Sequence, residues 1–329
     1  MSPFPALVAC LLALAGLTAF TPVAPVETLA GGQTGRIQFR TLTLSATQFL
    51  TGAKGGKPVV IWGDLRLPRA GAGHLPAVVL VHGSGGVGTV VERWAEEING
   101  IGVAAFILDS FTGRGILQTA DDQSRLGSGS MMVDAFRALR LLSTHPRIDP
   151  ARIAVMGFSK GGIVSLYASL RRFRRMHGPE EGEFAAYLAF YPFCGFAFAG
   201  DEQVSDQPIR IFHGAADDYT PIVPCREYVG RLRRAGKDVR LIEYRGAPHG
   251  FDNPHLPPAR FLSQVVNPTR CAFLERPIGR LLNRETGQPL DFNDPCFSRG
   301  ATVGYNPRAH RQAVQAVKTL LMTTFKLGP

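Results

Sequence analysis

No C-x-x-C pair, no zinc-finger spacing and no RNP-like aromatic motif occurs in this sequence. Their absence removes the usual signs of a thiol-bound metal, a redox dithiol and an RNA-binding sheet. No nucleic-acid partner and no metal or organic cofactor is therefore expected. Charge is sparse, at 19% Asp, Glu, Lys and Arg, and no low-complexity tract or internal repeat is present. Disordered and solenoid readings fall away on that ground. No apolar run reaches the roughly 20 residues that cross a bilayer. The longest, Ala6–Phe20, suits the apolar region of a secretory signal. Residues 1–30 are read as that signal, with cleavage after Ala19 or Ala30, and 31–329 as one mature domain. The expected location is secreted or periplasmic, with no stable membrane insertion once the signal is removed.

What is present is enough apolar material, 45% of residues, for a large core. The net charge of +10 comes largely from dispersed arginine. The densest run, Arg171, Arg172, Arg174 and Arg175, reads as a solvated helix end. Export permits disulfides, and beyond the signal four cysteines remain: Cys194, Cys225, Cys271 and Cys296. Spacing alone leaves three pairings open.

From Pro76 onward, apolar strand-like runs alternate with helical spacing. "PAVVLVHG", "GVAAFILD", "RIAVMGFS", "FAAYLAFYPFC", "IRIFHGAADD" and "VRLIEY" are the strands, with helices such as "VERWAEEING" and "GGIVSLYASLRRFRRMHG" between them. Continuous apolar strands separated by helices predict a mostly parallel central sheet with helices on both faces. Two earlier strands, "RIQFRTLTL" and "KPVVIWGDLRLP", extend one edge as an antiparallel pair. Residues 252–308 are rich in Pro, Asn and Arg and too long for an ordinary loop, so they form an insertion. It is either a cover for the active site or a surface annex. Cys194 follows one core strand and Cys225 opens the helix after the next, so they share one end of the sheet and pair. Cys271 and Cys296 pair within the insertion.

The chemistry concentrates at Gly157-Phe158-Ser159-Lys160-Gly161, a G-x-S-x-G match between a buried strand and a helix. A side chain two residues before or after the serine would crowd so sharp a turn, hence the glycines. The hydroxyl is a weak nucleophile without a base and an orienting acid. Both follow in order at later strand ends: Asp217, with Asp218 as the competing choice, and His249. The N–H groups of Lys160 and of Ser84 and Gly85, in "VLVHGSGG", are the expected oxyanion donors. His82 and His213 are assigned to bracing their loops.

These residues resemble the α/β-hydrolase superfamily, and within it the dienelactone hydrolase family. The likeness covers most of the chain after about Arg36, and "HGSGG", "GFSKGG", "HGAADDYTP" and "PHGF" carry it. It implies an α/β-hydrolase fold, with Ser159, Asp217 and His249 in the triad positions. It also makes Arg114 a candidate for binding a substrate carboxylate. Two features depart from the pattern. The enzymes that name the family use cysteine where Ser159 stands, and they carry a glutamate where this chain has "HGSGG". Both argue against dienelactone as substrate. The reading is a serine hydrolase of small-molecule carboxylic esters. The alternatives are a peptidase or acyltransferase of the same fold, or a non-catalytic binding protein for anionic ligands.

Overall fold

The computed structural model describes residues 24–69 and 73–328. The apolar run Ala6–Phe20 lies outside them. The folded part begins upstream of residue 31. Val26 bridges Phe39, and Leu29 is fully buried, with its N–H donating to Thr144 Oγ1 at 2.7 Å.

The chain runs β1 (Gly35–Thr43), α1 (Ala46–Thr51), β2 (Lys57–Arg66), β3 (Leu75–Val81), α2 (Thr89–Asn99), β4 (Ala104–Asp109), α3 (Ser128–Leu142), β5 (Ile148–Phe158), α4 (Lys160–Tyr167), α5 (Arg171–His177), β6 (Tyr187–Phe190), β7 (Phe196–Ala197), β8 (Ile209–Gly214), α6 (Ile222–Arg234) and β9 (Val239–Tyr244). An eight-stranded sheet has the order β1-β2-β4-β3-β5-β6-β8-β9. The six strands from β4 to β9 pair in parallel, and β1 and β2 join antiparallel at the β4 edge. This is the mostly parallel sheet with an antiparallel edge pair that the alternating pattern predicted, and it agrees with the fold that the resemblance implies.

Every residue of β3 is buried, as a strand covered on both faces requires. On one face Trp94 and Ile98 of α2 pack with Val317 and Leu321 of the last helix; on the other, Leu139 of α3 and Leu232 of α6 pack against the strands. The helix expected to run from Gly161 to Gly178 is divided in two. Leu170 is extended and bridges Val204, and Arg171 N–H donates to Gln203 O while Ser205 N–H donates to Ser169 O. That pairing breaks the helix at residues 168–170. α1 lies between the first two strands. Ser45 and Gln48 close a capping box at its start.

The insertion is ordered. It contains β10 (Arg260–Asn267), β11 (Phe273–Glu275), β12 (Leu281–Asn283) and β13 (Ser298–Val303), and α7 (Pro307–Phe325) follows it. β10 pairs with β13, while β11 bridges β12 and β7. Cys194–Cys225 and Cys271–Cys296 are both disulfide-bonded. The arginine run is not simply a solvated helix end. Arg172 makes a bidentate pair with the buried Glu275 of β11, at 2.6 and 2.9 Å. Glu275 also accepts the N–H groups of Ala199 and Gly279, so one buried carboxylate fastens the insertion to the α5 region.

Candidate active site

β3, β4, β5, β8 and β9 run in parallel, so their carboxyl ends share one end of the sheet, and the segments leaving those ends carry Ser84, Gly85, Arg114, Ser159, Lys160, Asp217 and His249. Ser159 occupies the corner between β5 and α4 with φ 54° and ψ −112°, a strained conformation for a residue with a side chain. The flanking glycines leave no alternative. A Cβ at Gly157 would stand 2.0 Å from Gly161 O, and one at Gly161 would stand 2.1 Å from Val81 O. The turn therefore closes only without those carbons.

Ser159 Oγ lies 3.0 Å from His249 Nε2, and His249 Nδ1 lies 2.8 Å from Asp217 Oδ2. Asp217 and His249 are buried. Asp217 Oδ1 accepts the N–H groups of Tyr219 and Thr220, at 2.9 and 2.8 Å. Burial pushes the Asp217 carboxyl up. His249, His213 and the Thr220 N–H outweigh that and hold it below the usual carboxylate range. Asp218 turns the other way, where its Oδ1 accepts the Thr302 N–H at 2.8 Å. Of the two adjacent aspartates, Asp217 is the one within hydrogen-bond reach of His249.

His82 is buried, with Nδ1 2.7 Å from Gly83 O and Nε2 accepting the Ser110 N–H at 3.3 Å, so it braces the loop after β3. His213 is buried beside Gly214 O at 3.1 Å and lies 4.0 Å from Asp217 Oδ2. Lys160 opens α4 directly after Ser159, and its ammonium bends inward. Nζ donates to Gln123 Oε1 at 2.9 Å and Thr119 Oγ1 at 3.2 Å. Burial lowers its pKa to about 7. Gln123 in turn donates to Ser84 Oγ at 3.0 Å, tying the Ser84–Gly85 loop to the serine turn.

Arg114 is corrected. Its guanidinium is buried against Asp134 at 2.7 and 2.9 Å and also donates to Thr43 Oγ1 and to the carbonyls of Ser110 and Leu42. These bonds engage every nitrogen of the fork, and the side chain is absent from the pocket wall. It fastens β1 to α3 and has no donor to offer a substrate.

The sequence reading missed Thr220 and β13. Thr220 Oγ1 lies 3.1 Å from both His249 Nδ1 and Asp217 Oδ2 and donates to Tyr191 O. Val303 of β13 bridges His249, and Gly304 N–H donates to His249 O at 3.0 Å. Thr220 was within view in "DDYTP", but no local signal marks β13 as the support of a histidine fifty-odd positions earlier.

Ser159 opens into a cavity of about 350 Å³. Its polar lining includes Ser84, Gln123 and Lys160 together with Ser45, Ser124, Ser128, Ser130 and Thr220. α1, α4, the segment after β6 and the insertion supply an apolar remainder. The insertion is therefore a wall of this cavity and not a remote annex.

The chain matches the dienelactone hydrolase family over residues 65–325. A probable 2-oxo-3-(5-oxofuran-2-ylidene)propanoate lactonase from a Bradyrhizobium species is 22% identical over 200 residues, which cover 54% of this chain and 74% of that protein. An uncharacterized Caenorhabditis elegans protein is 26% identical over 121 residues, covering 36% of this chain and 70% of that one. Among solved structures, the apo form of Thermogutta terrifontis esterase 2 aligns with a TM-score of 0.48 and 20% identity, over 59% of this chain and 82% of that chain.

Proposed function

The chain belongs to the dienelactone hydrolase family and is a hydrolase, and from that premise we propose that it cleaves carboxylic esters through an acyl-enzyme formed on Ser159. His249 Nε2 takes the Ser159 proton as Oγ attacks the carbonyl. Asp217 holds Nδ1–H and stabilises the imidazolium. The Lys160 N–H at the start of α4 and the N–H groups of Ser84 and Gly85 receive the oxyanion, aided by the positive end of the helix. The imidazolium then protonates the leaving alcohol, and His249 activates water to release the acid. This chemistry calls for no metal or organic cofactor.

The observation that carries the reading is the unbroken line from Ser159, which lines the cavity, through His249 to Asp217. A serine in place of the family's named cysteine, and "HGSGG" without the loop glutamate, keep dienelactone itself out of the proposal. Export is part of the proposal, since the two disulfides suit an oxidising compartment. No helix among the described residues is long and apolar enough to cross a membrane.

The test is covalent labelling by a fluorophosphonate together with turnover of p-nitrophenyl acetate. Ser159→Ala should lose the label and fall by about 10⁶ in kcat. A variant that still labels, or keeps a few per cent of the rate, would place the nucleophile elsewhere. Faster turnover of a peptide amide than of an ester would favour the peptidase alternative. A folded wild type that neither labels nor turns over would leave the binding protein.

A further inference from the structure

The cavity walls are unequal in chemistry. Among the described lining residues only Lys160 carries a charge, and Thr119 and Gln123 already engage its ammonium. None of the described lining residues is an arginine. Arg114 and Arg172, largely buried elsewhere in the fold, are paired with Asp134 and Glu275. A substrate carboxylate placed deep in the cavity would therefore be desolvated without a dedicated partner, which is costly.

The apolar end is built as a row of rings. Phe198 stacks on Phe196 with centroids 5.4 Å apart, Phe196 on Phe273 at 5.6 Å, Phe273 on Phe297 at 5.9 Å, and Phe297 meets Phe292 at 5.3 Å. The first two belong to the segment after β6 and the last three to the insertion. The row therefore crosses from the core of the fold to its annex, and Leu281 and Leu290 fill beside it.

The wall is also fixed in place. β11 pairs with β7, placing Phe273 opposite Phe196. The Arg172–Glu275 pair holds the end of β11, and Cys271–Cys296 closes the segment that carries Phe273, Leu290 and Phe292. A rigid apolar wall recognises a ligand with little ordering cost.

Granting the ester hydrolysis proposed above, we infer that the substrate is an uncharged ester carrying an extended or aromatic apolar group, and that the disulfide-closed insertion is the element that selects it. The apolar group can sit on either side of the ester bond, and two substrate series separate the cases. p-Nitrophenyl esters from acetate to decanoate lengthen the acyl side, and alkyl acetates from ethyl to octyl lengthen the alcohol side. In one of the series kcat/KM should rise by at least about tenfold from the shortest member to the eight-carbon one, since each buried methylene favours binding by roughly fourfold. The eight-carbon ester should also exceed a counterpart of equal length ending in a carboxylate by about tenfold or more.

Leu290→Asp and Phe292→Asp place a charge on the half-buried wall. Each should cut the eight-carbon to two-carbon ratio of kcat/KM by about tenfold. Leu290→Ser and Phe292→Ser serve where a charged variant fails to fold. A flat or falling series in an enzyme that labels at Ser159 overturns this inference and leaves the proposed chemistry standing. So does a preference for the carboxylate-ended ester. A rise that the wall variants leave unchanged overturns the role of the insertion. Absence of both labelling and ester turnover overturns the proposed chemistry, and the inference with it.

Discussion

Asp217→Asn and Asp218→Asn form a matched pair, because the two carboxylates are adjacent in sequence and face opposite ways. At Asp217, Oδ1 is fixed by the N–H groups of Tyr219 and Thr220, and Oδ2 faces His249 Nδ1 at 2.8 Å. An asparagine must present its carbonyl oxygen to those two N–H groups. Its NH₂ then faces Nδ1, which can only accept. The imidazole is forced to carry its proton on Nε2, aimed at Ser159 Oγ, and no base remains. The expected loss in kcat is about 10⁴, or roughly 5.5 kcal/mol of transition-state stabilisation. At Asp218, one oxygen accepts the Thr302 N–H, and an asparagine carbonyl does the same. Its kcat should stay within about twofold of wild type, as for a substitution that preserves its hydrogen bond. The assay is p-nitrophenyl acetate turnover, with thermal melts to show that both variants fold. Asp217 is held below its ordinary pKa, so its ionised form contributes stability above the unfolded carboxylate range, and this is lost as pH falls through the folded value. Asp217→Asn should accordingly melt below wild type at neutral pH, with the gap narrowing in acid. More than about 1% residual rate in Asp217→Asn, or an equal loss in Asp218→Asn, would refute the argument from orientation.

Lys160 has a folded pKa of about 7 against 10.5 unfolded, so the unfolded chain binds the extra proton between those values. Stability from this group should rise with pH from about 7 to 10.5, on the order of 1 kcal/mol per unit; melts of wild type and Lys160→Met across that range should show the slope only in wild type. The paired substitution Cys271→Ser/Cys296→Ser opens a loop with a sequence separation of 25, and urea denaturation should record a loss of about 3–4 kcal/mol. Mass spectrometry of the exported protein should place the mature N-terminus after Ala19: cleavage after Ala30 would remove Val26 from its bridge to Phe39 and Leu29 from the core, and a terminus at Gly31 on a fully active, stable protein would contradict that packing.

Local rules made much of this molecule readable before its structure. Ser159 stands out because a turn that admits no Cβ on either side of it must be written with glycine. Asp217 and His249 stand out because parallel strands deliver their loops to one edge in chain order. The sheet itself follows from apolar runs too continuous for a one-sided strand. What stayed hidden depends on pairing across long separations. The division between α4 and α5 is made by residues 203–205, which leave no trace in the helical spacing of 161–178. Arg114 shows the same limit from the other side. The family resemblance alone made it a candidate for a substrate carboxylate, and only the fold reveals that Asp134, Thr43 and two carbonyls consume its donors. The insertion reads as aperiodic because two of its strands, β11 and β12, are three residues long and its apolar residues are divided between small buried clusters and the cavity wall. Part of its anchorage comes from Glu275, a charge that would ordinarily argue for exposure. Arg172 and two backbone N–H groups compensate that carboxylate, so the residue least expected inside the protein holds the wall against which Phe273 and its neighbours are arrayed.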